Sequence, residues 1–209
     1  MAQYAFYFDS NKCSGCKTCQ VACKETYKLP VNNLYRKVLN YQGGHLGTQR
    51  SGQLRAQRRV RLLRLHGVQP LRRSGVRGEL SDGRHAEGRG NRHRVDRSRG
   101  VHRLQDVPDR VPLRCATYDD EAGYMLKCDM CKAELEAGGS KPLCVTGCPM
   151  RALDFGTRED MIAKYGEGDV EVEPLPKDTT HPNLIMNPHR DAQKSGSGTG
   201  ALVNLEEEI

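Results

Sequence analysis

The chain has 209 residues, of which 36% are hydrophobic, and carries a formal net charge of +7 at neutral pH. This hydrophobic content limits the core that it can bury, and no apolar run reaches the roughly 18–20 residues of a membrane-spanning helix. The composition thus excludes a membrane span, and we expect a soluble chain that draws part of its stability from something other than hydrophobic burial.

The cysteine content indicates metal binding rather than disulfides. Residues 1–12 lack a basic flank followed by a long apolar stretch, so we expect no export signal and a chain made in the cytoplasm. The nine cysteines would then meet a reducing compartment, where clustered thiols usually bind metals.

The amino-terminal elements are a strand, a cysteine loop and a helix. Residues 3–8 (QYAFYF) are rich in aromatic side chains and predict a short strand. A cysteine group with the spacing CxxCxxCxxxC follows, and we expect a helix over residues 16–28. The spacing is typical of ferredoxins, in which three close thiolates bind one [4Fe-4S] cluster and the fourth binds another. The group consists of Cys13, Cys16, Cys19 and Cys23.

The basic charge is confined to the middle of the chain. Residues 45–114 hold 18 of the 22 arginines, none of the 11 lysines and six acidic residues. They also lack Tyr, Phe, Ile and Met, so they cannot build an ordinary core. We expect residues 45–116 to be irregular or disordered. An alternative is an RNA- or DNA-binding segment, but it offers no aromatic residue to stack on a base.

A second cysteine group has the spacing CxxC, twelve residues, then CxxxCP. Its final cysteine precedes Pro149, as in the ferredoxin pattern. Two such groups predict an exchange of ligands between two [4Fe-4S] clusters. The first cluster would be bound by Cys13, Cys16, Cys19 and Cys148, and the second by Cys23, Cys128, Cys131 and Cys144. Cys115 stands outside any ligand spacing.

A structural zinc site is the alternative to iron–sulfur clusters. A CxxC pair followed by another cysteine pair is also a zinc-ribbon pattern. Four cysteines within residues 13–23 argue against zinc, because a tetrahedral site usually takes its ligands as two separated pairs. Nearby lysines would raise the potential of a bound cluster, although each of them can equally be a solvated surface residue. These are Lys12, Lys17, Lys24, Lys127 and Lys132.

The carboxyl-terminal elements complete an α+β, ferredoxin-like dicluster module with cluster-binding loops. Residues 152–156 predict a return strand, and Thr157, with Asp160 three residues later, predicts the N-cap of a helix ending near Tyr165. Residues 169–187 are acidic and proline-rich and predict an extended arm on a partner. Residues 195–209 predict a flexible tail.

The expected organisation has four parts. Residues 1–44 and 117–168 are the two halves of one [4Fe-4S] domain, and residues 45–116 are an aberrant segment between them. Residues 169–209 are the extended arm and tail.

The sequence resembles the iron–sulfur (B) subunit of the dimethyl sulfoxide reductase type of molybdenum oxidoreductase. The likeness covers residues 2–44 and 117–191, through YAFYFDSNKCSGCKTCQVACK, KCDMCKAELEAGGSKPLCVTGCPMRALDFG and HPNLIMNPHRDA. It implies a non-catalytic subunit that relays electrons between a membrane quinol-oxidising anchor and a molybdopterin catalytic subunit. It also implies association with a membrane through these partners, on a side that the sequence does not specify, and no nucleic-acid partner.

The middle segment departs from this family, whose members carry four cysteine groups and four clusters. A one-base shift of the reading frame would explain the difference. When a Val or Leu codon ends in TG and the next codon begins with C or T, the shifted frame reads TGC or TGT, which encode cysteine. Eight positions meet this condition at CxxCxxxxCxxxC and CxxCxxCxxxC spacings. They are Val68, Leu71, Val76, Leu80, Val101, Leu104, Val107 and Val111.

We therefore interpret residues 45–116 as frameshifted, either in the gene or through a sequencing error. The second and third cysteine groups are then replaced, ligands for only two clusters remain, and the protein as written is expected to be impaired as a relay. The alternative is a genuine arginine-rich disordered insert.

Overall fold

The computed structural model describes residues 3–31, 33–43, 127–178 and 181–204 in full, and between residues 45 and 126 the backbone of six short strands. The prediction that residues 45–116 are irregular or disordered concerns mainly residues outside this description. Cys115 also lies outside it.

The amino-terminal part contains β1 (Tyr4–Asp9), α1 (Thr18–Tyr27) and β2 (Tyr41–Gly43). The expected strand and helix are both confirmed. The helix starts two residues later than expected because Gly15 and Lys17 have positive φ angles of 72° and 60°. Left-handed residues cannot continue an α-helix, so the backbone turns around the cysteine loop first.

The six strands between residues 45 and 126 form three antiparallel pairs, β3 with β4, β5 with β6 and β7 with β8. They are β3 (His45–Thr48), β4 (Leu54–Gln57), β5 (His85–Glu87), β6 (Arg94–Asp96), β7 (Thr117–Asp119) and β8 (Tyr124–Leu126).

The carboxyl-terminal part contains three helices and three strands. In sequence order they are α2 (Lys132–Glu136), α3 (Leu143–Thr146), β9 (Leu153–Thr157), α4 (Arg158–Tyr165), β10 (Leu184–Asn187) and β11 (Gly200–Leu202). The expected return strand is β9, and the expected cap is confirmed, since the Thr157 hydroxyl accepts a hydrogen bond from the Asp160 amide at 3.2 Å. Among the helices of the described residues, none has both the length and the apolar character that crossing a bilayer requires.

A three-stranded sheet joins the two ends of the protein, in the order β10–β1–β9. β1 runs antiparallel to β9, with Phe6 opposite Phe155, and parallel to β10, with Tyr7 opposite Ile185. Because side chains alternate along a strand, β1 serves two cores. Phe6 packs on the face that carries cysteines, and Tyr7 packs on the face covered by α4.

The carboxyl-terminal segment differs from the expected arm and flexible tail. Ile185 and Met186 are fully buried, which places β10 on the protein's own sheet. Residues 200–202 form β11 and pair with β2. Asn204 then holds the loop that precedes β2. Its side chain accepts a hydrogen bond from the Asn40 amide and donates one to the Val38 carbonyl. Residues 205–209 lie outside the described part.

Asp154 on β9 anchors α4 to the sheet. Its buried carboxylate accepts hydrogen bonds from Lys141 Nζ at 2.5 Å, Lys164 Nζ at 2.8 Å and the Tyr165 hydroxyl at 2.7 Å. Burial alone would raise the pKa of Asp154, but these hydrogen bonds outweigh it and hold that pKa well below its usual range. The contribution of this carboxylate to stability is therefore present at neutral pH.

We expect Asp154→Asn to destabilise the protein by about 1–3 kcal/mol, because it removes the buried charge that Lys141 and Lys164 pair with and replaces one accepting oxygen by an NH2 group. A lowered folded-state pKa gives stability that is complete above the unfolded value of about 4 and is lost as pH falls below it. Chemical denaturation should thus give the same loss at pH 7 and pH 5. The exposed Glu167→Gln is the matched control and should be neutral. A loss that shrank between pH 7 and pH 5 would contradict the lowered pKa.

Candidate metal centre

The two CxxC loops have the same local structure. In the first, the amide of Gly15 donates to Cys13 Sγ, and in the second the amide of Met130 donates to Cys128 Sγ, both at 3.4 Å. Gly15 and Met130 both have positive φ, at 72° and 63°. A left-handed residue before the second cysteine turns the backbone around the first thiol, so each loop presents its thiols to one side.

Two helices carry the remaining cysteines in pairs. Cys19 and Cys23 are buried on α1, Cys144 is buried on α3, and Cys148 follows the end of α3. Residues four apart lie on one face of a helix, about 6 Å apart along its axis. The helix α1 can therefore offer one thiol to each of two neighbouring positions, and Cys144 and Cys148 have the same spacing in the sequence.

The helices approach closely at the glycine between the second pair. A Cβ added to Gly147 would lie 3.6 Å from Ala22 Cβ of α1 and 3.0 Å from the Leu143 carbonyl oxygen. Gly147 therefore lies at the contact between α1 and α3, which brings thiols from the two cysteine groups together.

The first predicted ligand set lines one pocket. Cys13, Cys16, Cys19 and Cys148 surround it together with apolar residues that include Val38, Ala152 and Leu153. Cys16 is exposed, and its hydrogen bond with Thr18 lowers the pKa of its thiol. The other members are buried or half-buried, so the pocket has one side open to solvent.

The second predicted set is held more deeply. Burial raises the pKa of Cys23, and the thiols of Cys128, Cys144 and Cys131 act on it as neighbouring negative charges. Burial also raises the pKa of Cys128, to about 12, with Cys144 as the next cause. The structure thus places these four side chains in one neighbourhood.

Burial keeps several of these thiols in their protonated form when no metal is bound. Burial raises the pKa of Cys19 to about 11, as it raises those of Cys23 and Cys128, so these thiols are protonated at neutral pH when no metal binds. Binding as thiolates must release these protons, which makes assembly depend on pH. Iron–sulfur clusters, when bound, supply one-electron transfer.

Arg36 lies between the two thiol sets. Its side chain is buried, its Nη2 donates to Cys144 Sγ at 3.1 Å, and its guanidinium lies over the Phe6 ring with Cζ 5.3 Å from the centroid. Its Nη1 is buried with no hydrogen-bond partner. A buried cation needs an anion, and a four-thiolate [4Fe-4S] cluster is anionic. The donor set and this cation therefore fit a pair of such clusters.

The sequence did not single out Arg36. It is one of only four arginines outside residues 45–114, and no motif marks it. Of the lysines expected to influence the clusters, Lys12 pairs with Asp9 at 3.4 Å, and Lys24 donates to the carbonyls of Pro30 and Val31. Lys132 pairs with Glu136 at 3.6 Å. These three serve local structure.

In the part of the protein that the structure describes, no group of three or more Cys, His, Asp or Glu side chains is close enough together to hold a single metal ion. The thiolates of a cubane each bind a different iron, so they need not converge on one point as the ligands of a single ion do.

Comparisons with known proteins match an iron–sulfur domain family and B subunits of anaerobic reductases. The family described as the 4Fe-4S dicluster domain matches residues 93–158. The sequence is 34% identical to the anaerobic dimethyl sulfoxide reductase B subunit of Haemophilus influenzae, covering 99% of this protein and 100% of that one. It is 30% identical to the corresponding B subunit of Escherichia coli, over 98% of both proteins. It is also 28% identical to the polysulfide reductase B subunit of Wolinella succinogenes, over 90% of this protein and 95% of the relative.

Proposed function

Because the protein belongs to the family of anaerobic dimethyl sulfoxide reductase B subunits, we propose that it relays electrons between a membrane quinol-oxidising anchor and a molybdopterin catalytic subunit. It has no catalytic role of its own in this proposal. It is a soluble subunit that reaches the membrane through its partners.

The observation that carries the proposal is that thiols of the first cysteine group, in residues 13–23, lie beside thiols of the second group, in residues 128–148. Cys13, Cys16 and Cys19 share a pocket with Cys148. Cys23 lies among Cys128, Cys131 and Cys144. We propose each of these two sets as the ligands of one [4Fe-4S] cluster, which makes the module ferredoxin-like. Core and clusters then stabilise each other, since metal–ligand bonds tie the two ends together.

We further propose that the protein as written is impaired. The match to the Haemophilus influenzae subunit spans 99% of this protein and all of the relative, in 212 aligned residues. The arginine-rich segment therefore occupies the place of the relative's residues rather than lengthening the sequence. A shift in reading frame replaces sequence without adding length, whereas an insert adds length, so this supports the frameshift. Nucleotide sequence around codons 44 and 116 would reveal the base changes.

The test is metal analysis of the full-length protein, made anaerobically with ample iron. We expect about eight irons and eight sulfides per molecule, together with the broad visible absorbance of [4Fe-4S] clusters. Cys115→Ser is the matched control and should leave the iron content unchanged. A colourless protein that contains zinc in place of iron would overturn the proposal.

A further inference from the structure

Resting on the proposed two-cluster function, we propose that Arg36 is the internal counter-ion of both clusters and sets their relative reduction potentials. Its positive charge raises both potentials, and it raises that of the Cys23, Cys128, Cys131 and Cys144 cluster more. The potential of the other cluster, of Cys13, Cys16, Cys19 and Cys148, rises less, because the direct hydrogen bond of the guanidinium goes to Cys144.

The first step of the argument is the isolation of this charge. Arg36 is 5% exposed, and no carboxylate forms an ion pair with it among the described residues. Its identified contacts are a thiol sulfur and the face of an aromatic ring. Solvent and counter-ions therefore screen it little, and its field acts on the nearest anions.

The second step is the direction of the effect. Reduction adds one negative charge to a cluster that is already anionic, and a buried cation stabilises the reduced form more than the oxidised form. A hydrogen bond to a ligand sulfur acts in the same direction, because it draws electron density away from the iron. Both effects raise the reduction potential.

The third step is the asymmetry. The direct hydrogen bond goes to Cys144, a proposed ligand of the second cluster. Burial lowers the pKa of Arg36, but the thiols around it outweigh burial and raise that pKa, with Cys144 foremost, then Cys19, Cys128 and Cys23. Three of these four belong to the second set and one to the first. Both clusters interact with the guanidinium, but unequally.

The experiment is a redox titration of the full-length protein, with the two clusters followed by electron paramagnetic resonance. Each signal is assigned by its absence from Cys13→Ala or Cys128→Ala. Arg36→Gln is expected to keep its iron and to shift both midpoint potentials downward, the second cluster by more. Arg36→Lys keeps the charge and should give smaller shifts in the same order. The exposed Lys177→Gln, outside both cysteine groups, is the control and should move neither potential.

Unchanged potentials in iron-loaded Arg36→Gln, or a larger shift in the first cluster, would overturn the inference. If Arg36→Gln lost its iron, the order of the two shifts in Arg36→Lys decides, and equal shifts there would overturn it. A wild-type protein without clusters would instead be the failure of the proposed function, so the two failures are distinguishable.

Discussion

Replacing Cys148 by alanine is expected to remove the cluster that Cys13 helps to bind, although the two cysteines belong to opposite ends of the sequence. The reason is the pocket that they share, to which the loop before α1 contributes Cys13 and the end of α3 contributes Cys148. Iron content should fall from about eight to about four per molecule. The cluster that remains should be the one that Cys23 shares with Cys128.

Four variants separate this exchange from local binding, in which each cysteine group would hold its own cluster. With exchange, Cys13→Ala and Cys148→Ala leave the same residual electron paramagnetic resonance spectrum, and Cys23→Ala and Cys128→Ala leave the other. With local binding, Cys148→Ala would instead match Cys128→Ala, and that result would refute the exchange. Iron analysis of the same samples checks that each variant has lost one cluster.

Restoring the reading frame of residues 45–116 is expected to raise the iron content to about sixteen per molecule, because eight hidden cysteines then return at ferredoxin spacing. Electron transfer across the complex should rise from near zero to a measurable rate. The rate of electron transfer falls steeply with distance, so two clusters at one end cannot replace a continuous row. The measurement is reoxidation of the reduced subunit by its catalytic partner and that partner's substrate.

The matched control keeps the restored frame but replaces the cysteines encoded at positions 68, 71 and 76 by serine, because the cysteine at position 80 would bind the neighbouring cluster. It should contain about twelve irons and should again fail to transfer electrons across the complex. This separates the loss of a cluster from the loss of ordinary folded sequence. Equal electron-transfer rates for the protein as written and the restored protein would refute the impairment.

The local elements could be predicted from the sequence because their causes are local. The aromatic run of residues 3–8 predicts β1, and the pair Thr157 and Asp160 predicts the start of α4. The cysteine spacing also predicts an exchange of ligands between two clusters, because the fourth cysteine of each ferredoxin group binds the other cluster. The ligand sets themselves stay a prediction. These expectations depend on short stretches of neighbouring residues.

The rest depends on contacts between residues far apart in the sequence. Ile185 and Met186 are buried because β10 pairs with β1, which is distant in the sequence. The pattern of apolar residues around them does not predict this strand. The tail is held by Tyr41 and Thr199, whose hydroxyls donate to the buried Glu173 carboxylate. Arg36 was missed for the same reason, since its importance comes from the thiol beside it, which is supplied by α3.

The sheet order β10–β1–β9 has a consequence for biogenesis. The central strand is made first, and both of its neighbours are made last. At roughly 5–20 residues per second on the ribosome, β1 waits on the order of ten seconds for β9. An apolar strand with two bare edges readily joins other polypeptides during such a delay. The nascent polypeptide therefore needs shielding until synthesis is nearly complete, and neither proposed ligand set is complete before residue 144 has been made.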